Sequence, residues 1–276
     1  MPPLVSLLTD FGTRDPFVAI CKGVILSIAP DARLLDVTHE IDPFDVLGGS
    51  IALADVLPQL PIGVHMAVVD PGVGGDRRAI GIRTARGDTV VGPDNGLLVA
   101  AAERLGGIAA AHELLDPRYR RSTTARTFHG RDIFAPAAGH LAQGVALEAF
   151  GPAVARDDLV EVRLPAARDL GDLLRAAVVG IDRFGNLALS GARGDLESVV
   201  GPVRGGDALV IEWWTEGGSG RRAPAMWAET FGDAPGGETL VFEDSLGRLS
   251  IAINQGSAAG TLGIGLYGPM NLLRAR

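Results

Sequence analysis

The sequence predicts an α/β fold in two parts: an N-terminal, mostly parallel sheet sandwiched by helices, and a smaller C-terminal antiparallel β domain. Three observations carry this expectation. Over the first half, near-continuous apolar runs of strand length alternate with stretches of helical spacing, as in a sheet buried on both faces. After about Gly151 the helical signal fades, and short apolar runs are punctuated by Gly and Pro, the signature of a small sheet or barrel. The chain has 276 residues, 47% of them apolar, enough for one large core or two modest ones.

Leu4–Thr9 is an apolar run that stops at Asp10 and Gly12. Phe17, Ile20, Val24 and Ile28 recur at helical spacing, and Pro30 ends that helix. Arg33–Val37 reads as a strand, Val46–Val56 as a helix closed by Pro58, and Val64–Val69 as the next strand. Ala79–Arg83 and Thr89–Val91 continue the strands, Leu97–Leu105 is a helix stopped by Gly106 and Gly107, and Phe134–Leu141 is a further short helix. The expected N-terminal domain is 1–163. Residues 164–175, charged and containing Pro165, read as a linker with room for one edge strand, and 176–276 as the β domain. Within it Ala176–Ile181, Ala208–Trp213, Thr239–Phe242, Leu249–Ile253 and Leu262–Leu266 read as strands, and Gly217–Gly220 as a flexible tip.

The formal net charge is −8, which argues against nucleic acid as a partner. No apolar run reaches the roughly 20 residues needed to cross a bilayer, so no membrane partner is expected. Met1–Leu8 lacks the basic start and cleavage site of a signal peptide, and the expected location is cytoplasmic. Cys21 stands alone, without a disulfide or metal pattern, and reads as a small core hydrophobe. Lys22 is the sole lysine among many arginines, which reads as coding bias.

Chemistry is signalled where apolar runs end in Asp followed closely by Gly: Asp10-Phe-Gly12, Asp70-Pro-Gly72-Val-Gly74, Asp94-Asn-Gly96 and Asp182-Arg-Phe-Gly185-Asn186. Ligands bind at the carboxyl ends of strands in open α/β sheets, and glycine permits close backbone approach. Each run alone is equally a turn; their recurrence favours a site. Asp10-Phe11-Gly12 lacks the companion motifs of a kinase. Gly72-Val73-Gly74-Gly75 is neither a P-loop nor GxGxxG. The aspartates lack the spacing of a dedicated metal site. Among the five histidines, His65, His112 and His140 read as structural, and His39 as a supporting group or a surface turn. His129, in the polar loop Thr127-Phe-His-Gly-Arg-Asp132 before a helix, is the acid/base candidate.

Taken together, Thr9-Asp-Phe-Gly12, Asp36-Val-Thr-His39, Asp42-Pro-Phe-Asp45, Val69-Asp-Pro-Gly-Val-Gly74, Gly92-Pro-Asp-Asn-Gly96, Thr127–Asp132, Asp182–Asn186 and Ser245-Leu-Gly-Arg-Leu249 resemble the S-adenosylmethionine hydroxide adenosyltransferase family, relatives of the fluorinase and chlorinase. The resemblance runs in order over nearly the whole chain. It implies hydrolysis of S-adenosylmethionine (SAM) at ribose C5′ to adenosine and L-methionine, with no metal or other cofactor. It also implies a homotrimer with sites where one subunit's N-terminal domain meets a neighbour's C-terminal domain.

By the same resemblance the hydrolytic set falls on Asp70, Arg77 and His129; the halogenases carry Tyr, Tyr and Ser at positions 70, 129 and 130. His129 or Asp70 would receive the proton of water, and Arg77 would orient Asp70. Asp10 matches a ribose-binding carboxylate, Phe44 an aromatic wall over the ribose, Asp182 and Ser245 groups holding the methionine moiety, and Asn186 an adenine contact; Phe231 aligns with an adenine-packing ring. Two halogenase arginines are Leu246 and Ile253 here. The alternatives are a halide-using enzyme forming 5′-halo-5′-deoxyadenosine, a Mg²⁺-dependent phosphohydrolase, and a non-catalytic SAM- or nucleoside-binding protein.

Overall fold

A computed structural model of the protein describes residues 2–123, 125–214 and 218–275; Gly217, at the start of the expected tip, lies outside them. The chain forms two compact units, Met1–Arg163 and Leu164–Arg276.

The first unit contains β1 (Leu4–Thr9), α1 (Phe17–Ile28), β2 (Arg33–Thr38), α2 (Val46–Val56), β3 (Val64–Val68), β4 (Ala79–Thr84), β5 (Thr89–Pro93), α3 (Val99–Arg104), β6 (Ile108–Glu113) and α4 (Ala135–Ala142). The six strands lie in the order β2-β1-β3-β5-β4-β6. β2, β1, β3 and β5 run parallel. β4 runs against both its neighbours, because residues 85–88 are far too few for the crossover that parallel pairing needs. Alternation along the strands feeds two cores. Val5, Leu7, Val64 and Met66 meet Ile25 of α1 and Ala138 of α4, while Leu8, Ala67 and Val90 meet Leu53 of α2 and Ala101 of α3. Helices therefore cover both faces, as the apolar runs predict. Cys21 sits in the first of these cores, where burial pushes its thiol up to about 12, far from thiolate chemistry at neutral pH.

A polar network stabilises the edge of the sheet where the parallel strands begin. The Ser6 hydroxyl donates to His65 Nδ1 at 2.7 Å, and His65 Nε2 donates to Asp88 Oδ1 at 2.9 Å. Arg86 Nε donates to Asp88 Oδ2 at 2.7 Å, and its amino groups reach the carbonyls of Leu57 and Pro58 beyond α2. Ser6, His65 and Asp88 have the residue types of a hydrolytic triad, but all three are buried, so they brace rather than react. Burial alone would raise the Asp88 pKa; hydrogen bonds from His65, Arg86 and Gly63 outweigh it and hold the carboxyl well below the usual range. A depressed carboxylate contributes stability above its unfolded value of about 3.9, lost as pH falls through the folded value. Asp88→Asn is therefore expected to cost about 3 kcal/mol at pH 7, and the deficit in denaturant midpoint should shrink as both proteins are taken below pH 4.

The second unit contains β7 (Arg168–Asp169), β8 (Leu174–Ile181), β9 (Leu187–Leu189), α5 (Arg193–Val200), β10 (Ala208–Trp214), β11 (Gly220–Trp227), β12 (Thr239–Glu243), β13 (Leu249–Ile253), α6 (Ala258–Leu262) and β14 (Pro269–Arg274). Their order is β14-β10-β11-β12-β13-β9-β8-β7, and β14 also pairs with β8, closing a barrel around Leu187, Ile211, Trp227, Ile251 and Leu272. Pairing is antiparallel except between β11 and β12. Residues 164–175 carry the edge strand β7, paired with β8.

The strands β6 and β9 go unnamed in the sequence reading, and three further elements differ from it. Leu262–Leu266 is no strand: Ser257 Oγ accepts from Gly260 N, starting α6, and Gly263 ends it at φ 62°, so the closing strand is β14. β11 is masked in sequence by Arg221, Arg222 and Pro224, yet it pairs along β10 through all of them. α5 is short and polar and shows no broad apolar stripe; Leu196 and Val200, one turn apart, bury its inner face.

Candidate functional site

Because β1, β2, β3 and β5 are parallel, their carboxyl ends share one edge of the first sheet. Asp10, His39, Asp70 and Asp94 follow those ends. Asp94 is consumed structurally: Arg78 Nε donates to it at 2.7 Å and Val160 N at 2.9 Å. Asp10 and Asp70 stay with the site.

Asp70 and Arg77 flank the glycine-rich loop between β3 and β4. Arg77 Nε donates to both Asp70 oxygens at 3.0 Å, and Nη2 donates to Oδ2 at 2.5 Å. The same Nη2 reaches His129 Nδ1 at 2.7 Å. The guanidinium lies 5.4 Å from the centre of the Phe134 ring, and both ion-pair side chains are almost buried, at 11% and 5% exposure. Arginine carries no acceptor, so Nδ1 must accept and the imidazole proton sits on Nε2. Burial, then the charge of Arg77, lowers the His129 pKa, keeping the ring neutral. His129 thus offers a donor at Nε2, beside a carboxylate that accepts.

His129 precedes a wide π-type helical turn, Gly130–Phe134, which leads into α4. Asp132, fully buried, braces the chain before it by accepting from Arg131 Nε at 2.6 Å and Ala125 N at 2.7 Å. Loop bracing therefore has a dedicated residue in Asp132.

Asp10 accepts from Phe44 N at 3.0 Å. Burial raises its pKa, opposed by that hydrogen bond and reinforced by the charge of Asp70. Phe44 has φ 70°, a costly conformation for a bulky residue, and its ring is 70% exposed. The strained residue both donates to the carboxylate and presents a free aromatic face. Beneath the Asp10 turn, Lys22 Nζ donates to Asp36 at 2.6 Å, His39 Nε2 donates to Asp36 at 3.0 Å, and Thr9 Oγ1 donates to His39 Nδ1 at 2.8 Å. Thr9 Oγ1 in turn accepts from Phe11 N at 3.2 Å. The sequence alone leaves His39 open and reads Lys22 as coding bias; the structure gives both a place in this chain of contacts. The one available signal was the adjacency of Asp36 and His39 in a single motif.

In the second unit, Asp182 and Asn186 belong to one turn. Asp182 Oδ1 accepts from Phe184 N and Asn186 N, and Oδ2 accepts from Asn186 Nδ2 at 2.7 Å. Ser245 lies in the β12–β13 turn, organised by Asp244 Oδ1, which accepts from Leu246 N and Arg248 N. Leu187 pairs with Ile251, and Leu249 N reaches Gly191 O, so the Asp182 turn and Ser245 sit at opposite ends of β13. The Phe231 ring packs 5.1 Å from that of Phe242, which pairs with Ser250 near the Ser245 end. Among the described residues, no three His, Cys, Asp or Glu side chains gather as a metal site requires.

The family profile described as SAM hydroxide adenosyltransferase N-terminal domain matches residues 5–151, and that of the corresponding C-terminal domain matches 176–270. A protein from Salinispora tropica named (R)-S-adenosyl-L-methionine hydrolase is 44% identical, over 95% of this chain and 94% of its own length. A protein of the same name from Thermus thermophilus is 40% identical, over 98% and 99%. Among solved structures, a conserved protein from Thermotoga maritima superposes with a TM-score of 0.89 at 33% identity, covering 98% of this chain and all of its own.

Proposed function

The chain belongs to the SAM hydroxide adenosyltransferase family, and from that premise we propose how it acts as an enzyme on its substrate. It hydrolyses SAM, giving adenosine and L-methionine. The observation that carries the mechanism is the Arg77 guanidinium wedged between Asp70 and His129. The water oxygen attacks C5′, and the C5′–S bond breaks with both electrons going to sulfur. Methionine leaves as a neutral thioether, so the leaving group needs no acid. The catalytic demand is alignment, worth up to about 7–11 kcal/mol in the best cases, and removal of one proton from water.

The His129 lone pair at Nδ1 is occupied by Arg77, so Asp70 takes the proton and His129 donates Nε2–H to the attacking oxygen. A carboxylate at position 70 also repels halide, which disfavours halogenation. Asp10 holds the ribose hydroxyls and Phe44 covers the ribose. Asp182, Asn186, Ser245 and Phe231 serve the methionine and adenine ends. The enzyme acts without metal or other cofactor, as a cytoplasmic homotrimer whose second-unit residues come from a neighbour; these are proposals resting on the family resemblance.

The relatives' name specifies the sulfonium configuration, since "L" already fixes the amino-acid carbon and the ribose centres are invariant. We extend that preference for the (R) sulfonium to this chain. Incubating the protein with each sulfonium epimer in excess chloride and EDTA is expected to give adenosine, faster from the (R) form. Methylthioadenosine as product, or 5′-chloro-5′-deoxyadenosine, contradicts the reading.

A further inference from the structure

Three phenylalanines join the turn bearing Asp10 to the turn bearing His129. Phe11 directly follows Asp10, Phe128 directly precedes His129, and their rings meet edge to face at 6.0 Å. Phe17, the first residue of α1, closes the cluster at 5.3 Å from Phe128 and 6.2 Å from Phe11. Arg131 lies over the outer face of Phe128 at 5.1 Å. Gly130 leaves the space that Phe11 occupies: a Cβ there would stand 3.1 and 3.2 Å from two Phe11 ring carbons and 3.4 Å from Phe128. Edge-to-face rings resist sliding because each positive edge is aimed at a negative face.

We propose that Phe11, Phe17 and Phe128 form a clasp that sets the distance between the ribose carboxylate and the imidazole that orients the attacking water, with Gly130 as the gap that lets it close. This rests on the roles given above to Asp10 and His129. The three are positioning residues: they align water, C5′ and sulfur without chemistry of their own. Misplacement of about 1 Å between reacting groups can cost on the order of 100-fold in rate, so a loosened clasp acts on turnover before it acts on affinity.

Phe17 is the test position because it is 42% exposed and its removal leaves both cores intact. Phe17→Ala is expected to lower the single-turnover rate about tenfold or more while SAM affinity stays within about threefold. Phe17→Tyr, which keeps the ring edge, should restore the rate. Gly130→Ala should also slow turnover, because its Cβ would stand 3.1 Å from the Phe11 ring and push the cluster apart. The proposal is overturned if Phe17→Ala turns over at the wild-type rate. It is equally overturned if the whole loss appears in affinity, which would make the ring a direct substrate contact. Wild-type protein that forms no adenosine in the same assay fails the hydrolase reading itself, and that failure is seen before any variant is compared.

Discussion

Asp70→Asn is expected to reduce kcat by about 10³-fold or more, within the upper part of the range for general acid–base groups. The carboxamide cannot take the proton of water, and its amino group would face the Arg77 donors that now bind both Asp70 oxygens. With Asp70 acting in the chemical step as proposed, SAM affinity measured by calorimetry should change far less than kcat. Arg77 would also lose its carboxylate partner at a nearly buried position, and breaking such a pair costs about 3–5 kcal/mol. A fall in melting temperature is therefore expected beside the loss of rate. Asp70→Glu separates the two effects, since it keeps the charge and moves the base. If it recovers stability but little turnover, placement of the carboxylate is what catalysis needs.

His129→Ala is expected to lower kcat by about 10²-fold or more, because the donor that holds the attacking oxygen in line with C5′ is lost. The proposed role as donor, not base, yields a sharper expectation for His129→Gln. A carboxamide offers both an acceptor for Arg77 and a donor toward water, so His129→Gln should keep more activity than His129→Ala. A histidine acting as base would leave the two variants equally impaired. The pH dependence follows from the same geometry. Protonated His129 cannot accept from Arg77, so kcat should hold through neutral pH and fall as pH drops through the His129 value. That value lies below the ordinary 6.5 or so because burial and Arg77 both disfavour the cation. Replacing His129 by glutamine should remove this acid limb. Asp10, whose pKa is raised chiefly by burial, should instead shift the acid limb of KM.

Much of the candidate site is legible because its residues stand in short motifs at strand ends, where a parallel sheet gathers ligands. Asp10 and Asp70 could be read that way. Asp94 carries the same Asp-then-Gly signature, but Arg78 and Val160 use it up, and nothing local announces a partner 66 residues away. The tautomer of His129 was equally out of reach, since it depends on an arginine 52 positions earlier. Pairing direction was lost for β4, because an apolar run reads alike in either direction; the short connection at 85–88 carried the information. In the second unit, Leu262–Leu266 has the residue types of a strand, and only the cap at Ser257 and the left-handed Gly263 turn it into a helix end. The antiparallel, turn-rich character of the unit was readable from its glycines and prolines. Its closure was not, because the contact between β14 and β8 joins residues about 95 positions apart.

The central claim is that water supplies the new oxygen at C5′. Single-turnover reaction with SAM in ¹⁸O-water tests it directly. The expected result is adenosine carrying one ¹⁸O at the 5′-hydroxyl and methionine carrying none. Unlabelled adenosine, or release of methylthioadenosine, would contradict the account.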